Sequence, residues 1–198
     1  RDGLSQRTID TYINAAFDKN IDPTVHTGSV MEGGNNHYYT NRLSLTIPYI
    51  KCAVLTQDAY RVNYGLRYLN HIFEYVDRNA AVPMNANGFY SDGSLVFHNA
   101  MAYNLGYGAA YLESLAYLVY MSADTVLDVK NVYGYDNIYG MIEDAFLPFV
   151  YKNQSMAMVM GRTKTDNALS VIRSIMTILN YAPAEEKAQL TAVLKTTL

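Results

Sequence analysis

Apolar positions recur with helical spacing along nearly the whole chain. Leu4, Ile9, Tyr12, Ile13, Ala16 and Phe17 form one such set, and Val62, Leu66, Leu69, Phe73 and Val76 form a stricter one, so both stretches predict amphipathic helices. A segment rich in Gly, Asn and Thr over 22–40 predicts a long loop, followed by a helix that begins near Asn41 and is interrupted or kinked at Pro48. Asp58 can cap the next helix, expected to last to about Arg78. A second long loop is expected over 79–93, where Pro83, asparagines and glycines gather. From Tyr103 to Met121 the spacing is helical again, with Tyr107, Ala110, Tyr111, Ser114, Leu115 and Leu118 on one side. Further helices are predicted over 138–150, 167–180 and 184–198, the last starting just after Pro183. The short apolar run 155–160 could be extended, and strand signals are otherwise scarce. The pattern predicts an all-α chain of successive helices joined by alternating short and long loops, as in hairpins set in a ring or solenoid, without an exact internal repeat.

Composition narrows the function classes. The 198 residues, half of them hydrophobic, suffice for one domain with a sizeable core. A net charge of −3, from 15 basic and 18 acidic residues without long runs, gives neither a nucleic-acid footprint nor a basic membrane patch. No apolar stretch approaches the roughly 18 residues of a membrane span, and no signal-peptide pattern stands at the start. The first residue is Arg1, so a piece of a longer chain is expected. The lone cysteine, Cys52, excludes an internal disulfide and a thiolate metal cluster, and suits burial as a small hydrophobe. Nineteen tyrosines and no tryptophan fit either the wall of a groove for a hydroxylated ligand or packed helix faces.

The most informative stretch is 88–108. Asp92-Gly93-Ser94 is turn chemistry, and His98, Tyr103 and Tyr107 add titratable groups where a loop enters a helix. Gly106 and Gly108 flank Tyr107 and are expected to leave room for a bulky ligand beside its ring.

This stretch resembles polysaccharide lyase family 8, the hyaluronate, chondroitin AC and xanthan lyases, in which Asp-Gly-Ser precedes a catalytic His and a catalytic Tyr nine positions on. His98 and Tyr107 have that separation. Upstream, Thr40-Asn41-Arg42 resembles the family segment that supplies the catalytic Asn; downstream, Gly161-Arg162 resembles the one that places an Arg beside the Tyr. The resemblance implies the catalytic set Asn41, His98, Tyr107 and Arg162, with Asn36, Tyr90, Asn99, Tyr103 and Asn104 as substrate-binding candidates. It implies part of an incomplete (α/α) toroid spanning 1–198, continued in the full protein by β-sandwich domains and a further catalytic Glu that is not evident before Leu198. Phe97 stands where a polar residue usually precedes the His, and Asp166 where a second Arg is usual, so a distant relative such as the baculovirus envelope chondroitin lyases also fits. The expected ligand is an acidic polysaccharide, acted on without metal or other cofactor outside the cell, in the periplasm, or at a cell or virion surface.

The residue types suit β-elimination at a uronic acid. An amide such as Asn41 can hold the carboxylate and favour the enolate-like transition state. Tyr107 is expected to donate, and also to take, the proton, with Arg162 as the cation that helps a phenol ionise below its ordinary value of ~10; His98 acts as base or as a second stabiliser. Other roles stay open. Asn41 could be a helix N-cap, with Asn35 or Asn36 as the carboxylate-binding amide. Arg162 could pair with Asp166, and Tyr103 and Tyr111 could be packing or cleft wall. His26, Glu32 and His37 could ligate a metal, though their spacing is not specific. Asp92 with Glu113 or Glu143 could serve a toroidal glycoside hydrolase, and a binding domain without catalysis is the third reading.

Overall fold

A computed structural model of the chain describes residues 5–16, 39–76, 87–98 and 100–197. Within them are the helices α1 (Gln6–Ala16), α2 (Tyr39–Leu55), α3 (Ala59–Arg67), α4 (Tyr107–Ser122), α5 (Asn137–Ala145), α6 (Ala168–Leu179) and α7 (Ala184–Thr197). Helices α2, α4 and α6 lie side by side, α3 folds back on α2, and α7 packs on α5 and α6. The molecule is mostly helical, and the α2–α3 and α6–α7 pairs are hairpins of the predicted kind.

Most helix starts follow from the sequence, whereas several ends do not. Asp58 caps α3 as predicted, accepting the Arg61 backbone N–H at 3.0 Å. The helix stops at Arg67, well short of Arg78, because Leu69, Ile72 and Phe73 are carried inward by a 3-10 turn over Asn70–Phe73 and fully buried. Helix α2 runs through Pro48 without interruption. Pro48 and Ser44 are both exposed, so water can reach the carbonyl that the proline leaves unpaired. At the start of α4, Gly106 and Gly108 both donate their N–H to the Tyr103 carbonyl, which holds 103–106 as a turn and delays the helix to Tyr107. Helix α5 ends at Ala145 rather than Val150, since Pro148 lies in the 3-10 turn Leu147–Phe149 that follows.

Two small sheets were not expected. Strands β1 (Gly88–Phe89), β2 (Leu95–Phe97) and β3 (Met101–Ala102) form an antiparallel meander, with Phe89 opposite Leu95 and Phe97 opposite Met101. At two or three residues each, they are too short to show an alternating pattern. Strands β4 (Val150–Tyr151) and β5 (Gln154–Ser155) form a hairpin reversed by Lys152 and Asn153, both at positive φ. The run 155–160 is therefore extended only at its start and becomes a 3-10 turn at Ala157–Val159.

The core lies beneath the meander. Phe89 packs against Tyr39, Tyr111 and Phe146 with ring centroids 5.2, 5.2 and 5.7 Å apart. Tyr111 is wholly buried and its hydroxyl donates to the Ile72 carbonyl at 3.0 Å, so it is packing rather than cleft wall. Cys52 is half-buried, and burial pushes its thiol up. Among the described residues no helix is long and apolar enough to cross a membrane.

Candidate active site

Asp92-Gly93-Ser94 closes the β1–β2 turn. The Asp92 carboxylate accepts the Ser94 backbone N–H at 3.0 Å, and Gly93 donates to the Tyr90 carbonyl. Gly93 has φ +81, and a Cβ there would collide with the Asp144 carbonyl, so a glycine is required. Asn104 fastens the turn from behind. Its amide nitrogen donates to the Gly93 and Ala145 carbonyls at 2.8 Å each, and its oxygen accepts the Leu95 N–H at 3.3 Å.

With the turn anchored, β2 delivers Phe97 and His98 to the entrance of α4. Phe97 is buried and stacks on Tyr107, with centroids 4.4 Å apart and planes 7° from parallel. His98 is exposed, at φ +51, and its ring stands edge-on to Tyr107 at 5.5 Å. Tyr103 meets Tyr107 at right angles, 5.0 Å between centroids. The two glycines around Tyr107 serve packing instead of leaving space beside its ring. A Cβ on Gly106 would strike the Tyr103 ring, and one on Gly108 would crowd Leu95 and Phe146.

Arg162 arrives from the chain before α6. Leu105 donates its N–H to the Val159 carbonyl at 3.0 Å, and Asn167 donates its side-chain amide to the Leu105 carbonyl at 2.7 Å, docking 103–106 against the chain before α6. Arg162 then donates its backbone N–H and its Nε–H to the Tyr103 hydroxyl at 2.8 and 3.2 Å. Its Nη2 lies 3.2 Å from Nε2 of His98. A guanidinium can only donate, so Nε2 is the acceptor in this contact. Burial opposes ionisation of Tyr103, yet the side-chain and backbone hydrogen bonds and the charge of Arg162 outweigh it and hold this phenol below its usual range. Arg162 is raised in turn, first by its hydrogen bond to Tyr103 and to a smaller extent by Tyr107. Its direct partner is thus Tyr103, with Tyr107 within reach of its charge.

Asn41 sits in the first turn of α2 rather than at its cap, which removes the N-cap role. Its neighbour Thr40 donates its hydroxyl to the Tyr107 carbonyl at 2.7 Å, joining the start of α2 to the start of α4.

Residues 1–196 match the description of polysaccharide lyase family 8, N-terminal alpha-helical domain. The chain belongs to this family. A xanthan lyase of Bacillus sp. (strain GL1) is 34% identical over 116 residues, which is 55% of this chain and 12% of that protein. A hyaluronate lyase of Staphylococcus aureus (strain NCTC 8325 / PS 47) is 24% identical over 152 residues, 73% of this chain and 19% of that one. The structure of Paenibacillus xanthan lyase superposes on 96% of the chain with a TM-score of 0.72 at 29% identity, using 17% of its own length. A Streptomyces coelicolor A3 chondroitin AC lyase in complex with chondroitin sulphate shares the fold, with a TM-score of 0.75 at 20% identity over 93% of this chain and 25% of that one. The chain therefore spans about an eighth to a quarter of the length of these relatives.

Within the family frame, several sequence-based site assignments change. Asn104 is 1% exposed with its amide committed to three backbone groups, so it is a scaffold residue rather than a substrate contact. Tyr103 has a buried ring and serves Arg162. Tyr90 is half-buried beside the turn. Asn36 and Asn99 lie outside the described residues, as do Asn35, His26, Glu32 and His37. Among the described residues no group of three or more His, Cys, Asp or Glu could hold a metal ion. Asp166 does not pair with Arg162. It accepts from the Ser155 hydroxyl at 2.6 Å and the Ala168 N–H at 2.9 Å, one residue ahead of Asn167, the N-cap of α6. Of the acids considered for a hydrolase, Asp92 is held in its turn, Glu143 accepts from Gln189 at 3.0 Å, and Glu113 lines a shallow groove between α4 and α6. Pattern reading missed the work of Phe97 and Tyr103. The signal available for Tyr103 was its place four residues before Tyr107, which sets both rings at the mouth of one helix.

Proposed function

We propose that the protein is a polysaccharide lyase that cleaves uronic-acid-containing chains by β-elimination, with Tyr107, His98, Asn41 and Arg162 as its catalytic group. The observation that carries this reading is the convergence of His98, Tyr103, Tyr107 and Arg162, with Arg162 linked to His98 and to Tyr103 across 64 and 59 residues of sequence. Such convergence is costly to maintain for packing alone, since two members are exposed.

The chemistry divides among these residues. Asn41 holds the uronate carboxylate and lowers the cost of developing charge on it. Tyr107, with the Arg162 cation nearby, takes the C5 proton. The freed electron pair forms the C4–C5 double bond as the C4–O bond breaks, and the same proton passes from Tyr107 to the leaving oxygen. His98 Nε2 is occupied by Arg162, which suits His98 to carboxylate binding through Nδ1–H more than to proton abstraction. The substrate class extends to chondroitin, hyaluronan or xanthan-like chains, and the active form is the full-length secreted or surface-associated protein with its expected β-sandwich domains.

The deciding experiment mixes full-length protein with chondroitin, hyaluronan, xanthan and alginate and follows ultraviolet absorbance of the unsaturated product. Absorbance growth with any of them supports the lyase reading. New reducing ends without absorbance would mean a hydrolase, and retention without turnover a binding domain.

A further inference from the structure

Tyr103 is the least accessible member of the cluster, 3% exposed, yet the others are joined through it. Its ring occupies the space that side chains on Gly106 and Gly161 would fill, and Gly161 adopts φ +60 to pass it. Its hydroxyl oxygen accepts two bonds from one residue, the backbone N–H and the Nε–H of Arg162, at 2.8 and 3.2 Å. A guanidinium is planar, so fixing Nε–H and the backbone together fixes where the Nη atoms point. They point at Nε2 of His98, 3.2 Å away.

We propose that Tyr103 is a positioning residue that sets the Arg162 guanidinium plane and, through it, locks His98 as the neutral tautomer protonated at Nδ1. Removing the phenol oxygen would leave Arg162 a flexible side chain on an exposed segment, and His98 would return to the mixture of tautomers ordinary for a solvated imidazole. The mutual effect of Tyr103 and Arg162 on each other's protonation, phenol down and guanidinium up, is what a shared hydrogen bond of this kind produces.

The consequence for turnover rests on the lyase reading, whereas the tautomer does not, so the test reads both. Full-length protein labelled with 15N-histidine reports the His98 ring nitrogens, assigned by their loss in His98→Gln. The wild type should show Nδ1 protonated and Nε2 as acceptor. Tyr103→Phe, which keeps the ring, should shift both nitrogens toward tautomer-averaged values, lower kcat roughly ten- to hundredfold as for a lost charge-assisted hydrogen bond, and leave KM within about twofold. Gly161→Ala, which keeps Arg162 but displaces the Tyr103 ring from its bonds, should move the His98 nitrogens the same way and supplies the answer if Tyr103→Phe does not fold. Unchanged His98 signals in both variants overturn the proposal. A wild type inactive on every polysaccharide, with the tautomer as stated, overturns the lyase reading instead.

Discussion

Phe97 lies flat against Tyr107, ring on ring at 4.4 Å, at the position where a polar residue would expose the tyrosine to water. The stack fixes the plane of the phenol and makes one of its faces apolar. Phe97→Leu keeps the bulk but gives up a ring contact worth about 0.5–1.5 kcal/mol. Turnover by the ultraviolet assay should fall roughly two- to tenfold, with helix content by circular dichroism unchanged. Wild-type turnover in this variant would mean the stack is idle in catalysis.

Tyr107→Phe removes one oxygen from the site and leaves both the stack on Phe97 and the right-angle contact with Tyr103. Elimination should drop by at least about a hundredfold, the usual weight of a positioned proton-transfer group. Retention on immobilised polysaccharide should change by no more than about twofold. Normal turnover would rule out the mechanism.

Asn104 offers a contrast between scaffold and substrate contact. Asn104→Ala leaves the Gly93 and Ala145 carbonyls and the Leu95 N–H without their partner. The unfolding midpoint should fall, by an amount equivalent to about 2–4 kcal/mol, while KM of the folded fraction holds. A raised KM with unchanged stability would restore Asn104 to the substrate.

Asp166 gives a pH signature. Hydrogen bonds from the Ser155 hydroxyl, then the Ala168 N–H, hold its carboxyl below the ordinary range despite a smaller opposing effect of burial. Because the folded value lies below the unfolded one, the stabilisation is full above the ordinary value of ~3.9 and is lost as pH falls through the folded value. The stability gap between wild type and Asp166→Asn should therefore be present at neutral pH and close on acidification below about 4, as thermal melts across pH would read.

Gly161→Ala places a methyl group where the Tyr103 ring sits, at a backbone angle disfavoured for alanine. The expected cost is at least about 1 kcal/mol, with loss of the Tyr103–Arg162 bonds. A melting curve superimposable on wild type would show that the segment yields freely.

The helices were legible because their apolar stripes are long. The cap at Asp58 and the positions of α6 and α7 follow directly from local chemistry. Their ends were harder to read, because α3 is stopped by apolar residues drawn into the core, an inward turn that looks like continued periodicity, and α5 by the turn that holds Pro148 inside an apolar run. The meander was invisible for the opposite reason: two-residue strands carry no period. In the site, the spacing of His98 and Tyr107 could be read from sequence alone. The Arg162–Tyr103 bond could not, since it depends on Leu105 docking on Val159, a backbone contact with no side-chain signature. Asn104 was misread because a buried amide and a ligand-facing one look alike in a string of letters.

Three bonds that gather the cluster span long stretches of chain: 67 residues from Thr40 to Tyr107, 64 from His98 to Arg162, and 59 from Tyr103 to Arg162. None can form within a single helix or hairpin, so during refolding the far-ultraviolet signal of the helices should return before the near-ultraviolet signal of the packed tyrosines. A newly made molecule would carry its full complement of helix for a time and still lack the His98–Tyr103–Tyr107–Arg162 cluster, because the cluster comes into being only when α2, α4 and the chain before α6 have finished docking.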